Sequence, residues 1–259
     1  MSDRTLVRDA WTELRKLTLA RIALGRTGAS LPTQAALEFG LAHARARDAV
    51  HSQLQHDSLL EQLRSVQLAC LQVRSMAEDR NRYLRRPDLG RRLDAESRAR
   101  LRDRTQNQAD VVFVIADGLS ARAPLLHAVP TLLATLELLR DWQVAPIVIA
   151  EQARVALGDE IGELLHAAQV VMMIGERPGL SSPDSLGIYL TYGPRIGRVD
   201  SERNCISNIH RAGLGYDIAA HKLAHLLVHS RARQLSGIEL KDESEPEISQ
   251  VPPPVAGEG

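Results

Sequence analysis

Hydrophobic residues in the first hundred positions recur at the spacing of α-helices, with polar residues between them. The first such segment, "LVRDAWTELRKLTLARIAL", has its apolar positions at Leu6, Trp11, Leu14, Leu17 and Ile22. This spacing predicts a helix, which the glycines and the proline of "GRTGASLP" end.

Further helices are predicted before residue 108. Thr33 is predicted to cap a helix over "QAALEFGLAHARARDAVHSQL", and Ser58 to cap a helix running through "LLEQLRSVQLACLQVRSM". "YLRRPDLGRRL" interrupts the pattern, and a short helix is predicted over "DAESRARLRDRT".

The pattern changes from Ala109. "DVVFVIA" is a continuous apolar run rich in β-branched residues, which is typical of a strand buried on both faces. Two similar runs follow, "APIVIA" and "QVVMMI", and the helical patterns "LLHAVPTLLATLELLRDW" and "GDEIGELLHAA" separate the three. This β-α-β-α-β order predicts a parallel sheet with helical crossovers. Pro130 predicts a kink or a later start in the first crossover helix.

The end of the chain completes this prediction. "LGIYLTYG" alternates like a further strand, "RNCISNIHRAGLG" is predicted to be irregular, and "YDIAAHKLAHLLVHSRA" is predicted to be a closing amphipathic helix. The predicted fold class is therefore α/β, with an N-terminal helical region, a Rossmann-like parallel-sheet domain and a C-terminal helix. The predicted limits are 1–107, 108–238 and 239–259, the last an acidic, proline-rich tail expected to be disordered.

Charge distinguishes the N-terminal region from the rest of the chain. Residues 1–107 contain 20 basic residues, 19 of them arginine, against 13 acidic ones, and this surplus is offset elsewhere because the net charge is zero. The basic residues are interspersed with acids, aromatic residues make up only 3%, and no nucleic-acid-binding motif occurs. We therefore expect no nucleic acid as ligand, and favour a protein partner or solvated helix faces.

The composition indicates a cytoplasmic globular protein. No apolar run approaches the roughly 20 residues that cross a bilayer, and the N-terminus has no signal-peptide core. Cys70 and Cys205 lie far apart in the sequence, so we expect neither a disulfide nor a metal site, and no membrane association.

Ligands of an open α/β sheet bind beyond the carboxyl ends of its strands. The loops there are "ADGLSA", "EQARVALGDE" and "GERPGLSS", joined by the stretch "RNCISNIHRAGLG" before the last helix. None contains the G-x-G-x-x-G of NAD-binding folds, a P-loop or a G-x-S-x-G nucleophile turn. Asp117 in the first loop is either a helix N-cap or turn former, or a site residue.

Other residues in these loops also have a structural and a functional interpretation. His210 lies in "NIHRAG", one residue away from the D-x-H-x-x-G pattern in which a histidine ligates cobalt, but Asn replaces the orienting Asp, which favours a hydrogen-bonding histidine. Cys205 is interpreted as a buried small hydrophobe, and Glu176 and Arg177 as an exposed ion pair in a strand-ending turn.

Several blocks together resemble one known family. They are "ARIALGRTG", "YLRRPDLGRRL", "VIADGLSA", "IGERPGLSSPDSLGIYLTYGPR", "ERNCISNIH" and "SGI", in this order. From about Leu14 to Ile238 the chain closely resembles the small (light) subunit of ethanolamine ammonia-lyase.

The resemblance implies a subunit of an enzyme that converts ethanolamine into acetaldehyde and ammonia by an adenosylcobalamin-dependent radical rearrangement. In that family a large TIM-barrel subunit binds ethanolamine and carries the catalysis, so no catalytic residue is expected here. The small subunit covers the cofactor from the other side in a hetero-oligomer, and we expect the Arg-rich region to contact the large subunit.

The cobalamin contacts implied by the resemblance fall on Val155, Glu176 and Cys205. Glu176 is expected to accept a hydrogen bond from a peripheral amide of the corrin, on a loop where Gly175 and Gly179 let backbone approach closely. Val155 and Cys205 are expected to give small apolar contacts. The family binds the cofactor base-on, with its own dimethylbenzimidazole on cobalt, so His210 is not needed as an axial ligand.

Two alternatives stay open on the sequence. One is a stand-alone Rossmann-like nucleotide- or metabolite-binding module, and the other is a regulatory scaffold without catalysis. Some family members carry a long N-terminal extension that directs them into a bacterial microcompartment. This chain begins almost at the first shared block, so we expect a cytoplasmic protein and leave encapsulation open.

Overall fold

Six strands form one sheet in the computed structural model, which describes residues 9–18, 20–103 and 108–244. The strands are β1 (Cys70–Arg74), β2 (Ala109–Ala116), β3 (Ile147–Glu151), β4 (Ala167–Gly175), β5 (Leu186–Tyr192) and β6 (Arg203–Ile209). The α-helices are α1 (Thr33–His51), α2 (His56–Ser65), α3 (Arg80–Arg85), α4 (Ala95–Arg102), α5 (Arg122–Leu138), α6 (Leu157–Leu164) and α7 (Tyr216–Arg233). Short 3-10 segments occur at Thr12–Leu17, Leu89–Arg91 and Asp200–Glu202.

The strand order is β1-β3-β2-β4-β5-β6. The first four strands in this order are parallel, and β5 and β6 are antiparallel to their neighbours. In the central strand β2, Phe113 and Ile115 point to one face and Val112 and Val114 to the other, all of them fully buried. A strand covered on both faces requires such a continuous apolar run. The predicted β-α-β-α-β unit is confirmed as β2, α5, β3, α6 and β4.

Helices cover both faces of the sheet. On one face α2, α5 and α7 pack their apolar residues, among them Leu63, Leu132 and Leu223, against the strands. On the other face α4 and α6 do so with residues such as Leu101 and Ile161. Each of these buried side chains contributes about 1.5–3 kcal/mol of hydrophobic free energy. The predicted α/β class, with N-terminal helices and a C-terminal helix, is confirmed.

Two predicted element types are wrong. The helix predicted through "LLEQLRSVQLACLQVRSM" ends at Ser65, and Cys70–Arg74 forms β1, which pairs in parallel with β3. The stretch "RNCISNIHRAGLG" begins with β6, which pairs with β5. Both are edge strands, and pairing with a neighbouring strand of the sheet decides their structure more than their own apolar pattern does.

The N-terminal helices begin at other residues than predicted. α1 begins at Thr33 itself, and α2 begins before Ser58. The predicted first helix is only the 3-10 segment Thr12–Leu17, and Ile22 lies beyond it. Leu6 lies outside the described residues.

Two differences concern the second half of the chain. α5 begins at Arg122 and continues through Pro130, so the predicted later start is wrong. Within the predicted tail, Leu240 is buried in the core and Asp242 pairs with Lys222 at 2.7 Å. The rest of the tail predicted over 239–259, from residue 245 onward, lies outside the described residues. The predicted domain limits stay predictions. The N-terminal region, 1–107, contributes β1 to the sheet.

Candidate ligand-binding groove

The sheet topology creates a crevice at the carboxyl ends of β2 and β3. The helix that follows β2 is α5 on one face of the sheet, and the helix that follows β3 is α6 on the other. The loop from β2 to α5 and the loop from β3 to α6 therefore diverge. Open α/β sheets bind ligands at such a switch point.

Asp117 joins these two loops. Its Oδ1 accepts from the backbone N–H groups of Gly118 (2.9 Å) and Ala153 (3.0 Å), and its Oδ2 accepts from that of Gln152 (3.0 Å) and from Nη1 of Arg80 (3.3 Å). The carboxyl group is buried, and this burial raises its pKa to about 6. These contacts agree with the turn-forming interpretation of Asp117, and its interpretation as a site residue stays a prediction.

Glycines let the loops after β2 and β4 approach each other. The N–H of Leu119 donates to the carbonyl oxygen of Gly175 at 2.9 Å. A Cβ atom on Gly175 would lie 2.0 Å from the carbonyl oxygen of Ser120, and Gly118 has a φ of +55°. This contact brings the "GERPG" loop beside the crevice, while the close approach of Gly175 and Gly179 to a cofactor stays a prediction.

The strands β5 and β6 form the floor beyond this loop. Leu186 and Ile188 of β5 point to the face covered by α5 and α7. Tyr189 points to the other face, where it lies opposite Cys205 of β6. This face borders two clefts at the loop after β3.

Val155, Glu176 and Cys205 all line this region. Val155 and Glu176 line a cleft of about 460 Å³, and Val155 and Cys205 line a second cleft of about 280 Å³. The two clefts share Val155, Arg154 and Tyr189, so we treat them as one groove. The structure therefore brings the three sequence-predicted residues together, while their contact with cobalamin stays a prediction.

The carboxylate of Glu176 is positioned by neighbouring strands. Its Oε2 accepts from Oγ of Ser185 at 2.5 Å and from the N–H of Asn208 at 3.3 Å. The side chain lies against Gly187 of β5, where a Cβ atom would be 3.0 Å from Oε1. No described residue donates to Oε1, which leaves an acceptor for a ligand. The predicted pair with Arg177 is wrong, because Glu176 uses these other partners.

Cys205 is exposed in the groove, so its interpretation as a buried residue is wrong. Neighbouring groups still exclude enough water to raise the pKa of its thiol. The residue is therefore an uncharged thiol at neutral pH, suited to an apolar contact and not to nucleophilic attack. Cys70 lies on β1 at the opposite edge of the sheet, so the two thiols cannot meet.

His210 is a hydrogen-bonding residue of the turn after β6, which confirms that interpretation. Its Nδ1 accepts from the N–H of Ala212 at 3.3 Å. We infer that Nε2 carries the proton and donates to Oδ1 of Asn208 at 2.9 Å. Position 213 requires a glycine, because a Cβ atom there would lie only 2.6 Å from Nε2 of His210. The N-x-H-x-x-G pattern is thus satisfied within one turn.

Sequence reasoning missed several groove residues. Gly187 carried a signal, since a glycine inside an alternating strand marks close approach of another group. Tyr83 and Arg154 carried none, because nothing in the sequence distinguishes Arg154 from the chain's other arginines. In the structure the guanidinium of Arg154 lies over the ring of Tyr83, 4.3 Å from its centroid.

Metal-binding clusters and membrane-spanning helices are both absent from the described part of the chain. No group of three or more His, Cys, Asp or Glu side chains there is arranged to hold a metal ion. None of the described helices is long and apolar enough to span a membrane.

The fold and groove define a class of protein: an α/β chain with a mostly parallel sheet and an open groove at its carboxyl edge. The family model described as "Ethanolamine ammonia-lyase light chain (EutC)" matches residues 8–241. The chain belongs to this family.

Individual relatives agree with the family match. The chain is 54% identical over 242 residues to the ethanolamine ammonia-lyase small subunit of Pseudomonas fluorescens, covering 92% of this chain and 88% of the relative. It is 55% identical over 251 residues to that of Azotobacter vinelandii, covering 95% and 93%. It is 51% identical over 254 residues to that of Pseudomonas aeruginosa strain UCBPP-PA14, covering 96% and 93%.

Proposed function

We propose that this chain is the small subunit of an adenosylcobalamin-dependent ethanolamine ammonia-lyase and that its groove covers one side of the cofactor. The observation that carries the proposal is the convergence of Val155, Glu176 and Cys205 on one groove in a chain of the light-chain family. Val155 lies in the loop after β3, Glu176 in the loop after β4, and Cys205 on β6.

The chemistry of the groove fits cobalamin. A corrin has apolar faces and a rim of amides that donate and accept hydrogen bonds. Val155, Cys205 and the ring of Tyr189 offer apolar contacts, and Oε1 of Glu176 offers an acceptor for an amide N–H. The buried Nε of Arg154 has no partner among the described residues, which leaves a donor for a ligand.

The chain's own residues bind and orient the cofactor and exclude water from one side of it. The chemistry that the cofactor supplies when bound is homolysis of its cobalt–carbon bond, which starts the radical rearrangement. Ethanolamine is bound by the large subunit in this proposal, and the described groove needs no catalytic acid or base. The chain alone should therefore be inactive.

The N-terminal region supports docking to a large subunit. Trp11, Leu17 and Leu37 are 64%, 82% and 69% exposed, and α1 buries only Ala42 and Ala49 against the rest of the chain. Apolar surface of this kind marks a protein interface. We therefore assign residues 9–51 to contact with the barrel subunit.

Assay of ethanolamine deamination with the two subunits, separately and mixed, tests the proposal. Turnover is expected only in the mixture supplied with adenosylcobalamin. Turnover by this chain alone would refute the two-subunit assignment. A mixture that forms a stable complex but stays inactive would favour the regulatory scaffold. A complex that never binds cobalamin would favour the stand-alone nucleotide-binding alternative.

A further inference from the structure

The groove contains guanidinium groups without acceptors. Arg91, Arg154 and Arg177 line it, and no described residue accepts a hydrogen bond from any of their side chains. Arg203, which also lines it, is satisfied, because it donates to both carboxylate oxygens of Asp159 at 2.7 and 2.8 Å. Two carboxylates, Glu176 and Asp200, also line the groove, but neither pairs with Arg91, Arg154 or Arg177 among the described residues.

Arg154 is the most firmly positioned of these arginines. Its guanidinium lies over the ring of Tyr83, and its backbone N–H donates to the carbonyl oxygen of Gly90 at 2.8 Å. A Cβ atom on Gly90 would lie 2.9 Å from Cγ of Arg154 and 3.0 Å from Cε2 of Tyr83, so a glycine is needed at this contact. A guanidinium that is already fixed in this way loses less conformational freedom on binding a ligand than a mobile guanidinium does.

The buried Nε of Arg154 indicates that an acceptor is supplied from outside the described chain. A buried donor without a partner costs about 1–3 kcal/mol, which a ligand can recover. Arg154 belongs to both clefts, at the centre of the groove, and Arg91 lines the second cleft beside it. Two unpaired guanidinium groups at one place favour an anion over a neutral amide.

We propose that Arg154 is the anion-binding residue of the groove and that it pairs with the phosphodiester in the nucleotide loop of cobalamin, with Arg91 as a second contact. This inference rests on the proposed function. The peripheral amides of cobalamin are neutral, and the phosphodiester is its negatively charged group. Guanidinium and phosphate form short, charge-assisted hydrogen bonds, often two in parallel.

Adenosylcobinamide, which lacks the phosphodiester together with the ribose and the dimethylbenzimidazole base, provides the comparison ligand for a test. The complex of this chain with the large subunit is titrated with adenosylcobalamin and with adenosylcobinamide, and binding is followed by absorbance. Arg154→Gln should weaken adenosylcobalamin binding about tenfold to a hundredfold and leave adenosylcobinamide binding unchanged. Arg92→Gln, at an exposed arginine that does not line the groove, should change neither affinity.

Three results would overturn the assignment. Equal losses for both ligands would show that Arg154 acts on the corrin or on the shape of the groove. Unchanged affinity for both would place the phosphodiester elsewhere. If the wild-type complex binds neither ligand, the proposed function fails, and this inference fails with it.

Competition on the wild-type complex keeps the inference testable if Arg154→Gln does not fold. Inorganic phosphate at millimolar concentration should compete with adenosylcobalamin more strongly than with adenosylcobinamide. Equal competition, or none, would count against an anion site at Arg154. Arg154→Lys, which keeps the charge without the planar fork, should bind adenosylcobalamin more tightly than Arg154→Gln does.

Discussion

Glu176 combines a structural role with a proposed role in binding. Its Oε2 joins the loop after β4 to Ser185 and to the end of β6. Its Oε1 has no donor among the described residues and lies over Gly187. The glycine in the strand and the glutamate in the turn therefore form one feature, although eleven positions separate them in the sequence.

Glu176→Ala is predicted to weaken adenosylcobalamin binding by the two-subunit complex about tenfold, because a charge-assisted acceptor is lost. Assembly with the large subunit should be unchanged, since Glu176 is not among residues 9–51, to which the interface is assigned. Spectroscopic titration and size-exclusion chromatography measure the two properties. Glu137→Ala, at an exposed carboxylate on α5, serves as control. Unchanged affinity in Glu176→Ala would leave the residue with its turn-forming role only.

The extent to which the site could be predicted also differs residue by residue. Val155, Glu176 and Cys205 were named from the resemblance, and the fold shows them to line one groove. Arg154 could not be named, because its distinction is a stacked position over Tyr83 and a buried Nε without a partner. Such distinctions arise from packing between residues remote in sequence.

Among the elements, the central strands could be predicted and the edge strands could not. β2 and β4 are buried on both faces, so their sequences are continuous apolar runs. β1 contributes only Leu71 and Val73 to the core, and β6 buries only Arg203, Ile206 and Ile209. β1 is stabilised by pairing with β3, which is distant along the chain, and β6 by pairing with the preceding strand β5, so the apolar pattern of each edge strand alone carries little information about it.

The contact between the loops after β2 and β4 depends on the absence of a side chain at Gly175. Gly175→Ala is predicted to lower the free energy of unfolding by at least about 2 kcal/mol, because the new Cβ meets backbone that cannot move away cheaply. Gly179→Ala, in the same loop, has no atom nearer than 3.8 Å to its Cβ and should cost little. Denaturant unfolding of both variants tests this, and equal stabilities would contradict the proposed loop contact.

The contact between α2 and the end of β3 is predicted to depend on pH. His56 pairs with Glu151, which raises the pKa of His56 above 6.5 and lowers that of Glu151 below 4.5. The histidine's contribution is complete below pH 6.5 and is lost as the pH rises through its folded-state pKa. The glutamate's contribution is complete above pH 4.5 and is lost as the pH falls through its folded-state pKa. The pair therefore stabilises the fold most between pH 4.5 and 6.5.

Thermal unfolding of His56→Gln and wild type at pH 5.5 and pH 8.5 tests that contact. The wild type should exceed the variant in melting temperature by more at pH 5.5 than at pH 8.5. The difference should correspond to about 1 kcal/mol or less, since both groups are partly exposed. A melting-temperature gap that is the same at both pH values would show that the pair is not formed.

At the scale of the whole molecule, the chain has the surfaces of a subunit. One face of β5 and β6 is open at the groove, and residues 9–51 expose apolar side chains that a folded monomer does not need. Leu37 and Leu41 lie on the same face of α1, one turn apart, and both are exposed. Leu37→Asp is predicted to weaken association with the large subunit at least about tenfold, because burying the leucine contributes about 1.5–3 kcal/mol.

Leu138→Asp is the matched control for that variant. Leu138 is also an exposed leucine on a helix, at the end of α5 and outside the N-terminal region. Both variants should fold, as judged by thermal unfolding, and only Leu37→Asp should lose affinity in a pull-down with the large subunit. Equal loss in both variants would remove the assignment of the interface to residues 9–51.

The central claim is that this chain completes a cobalamin site that its partner cannot form alone. Titration of adenosylcobalamin into the large subunit, into this chain and into their mixture, followed by absorbance, tests it most directly. Tight binding is predicted only for the mixture. Binding to the large subunit alone with the affinity of the mixture would contradict a role for the groove around Val155, Glu176 and Cys205.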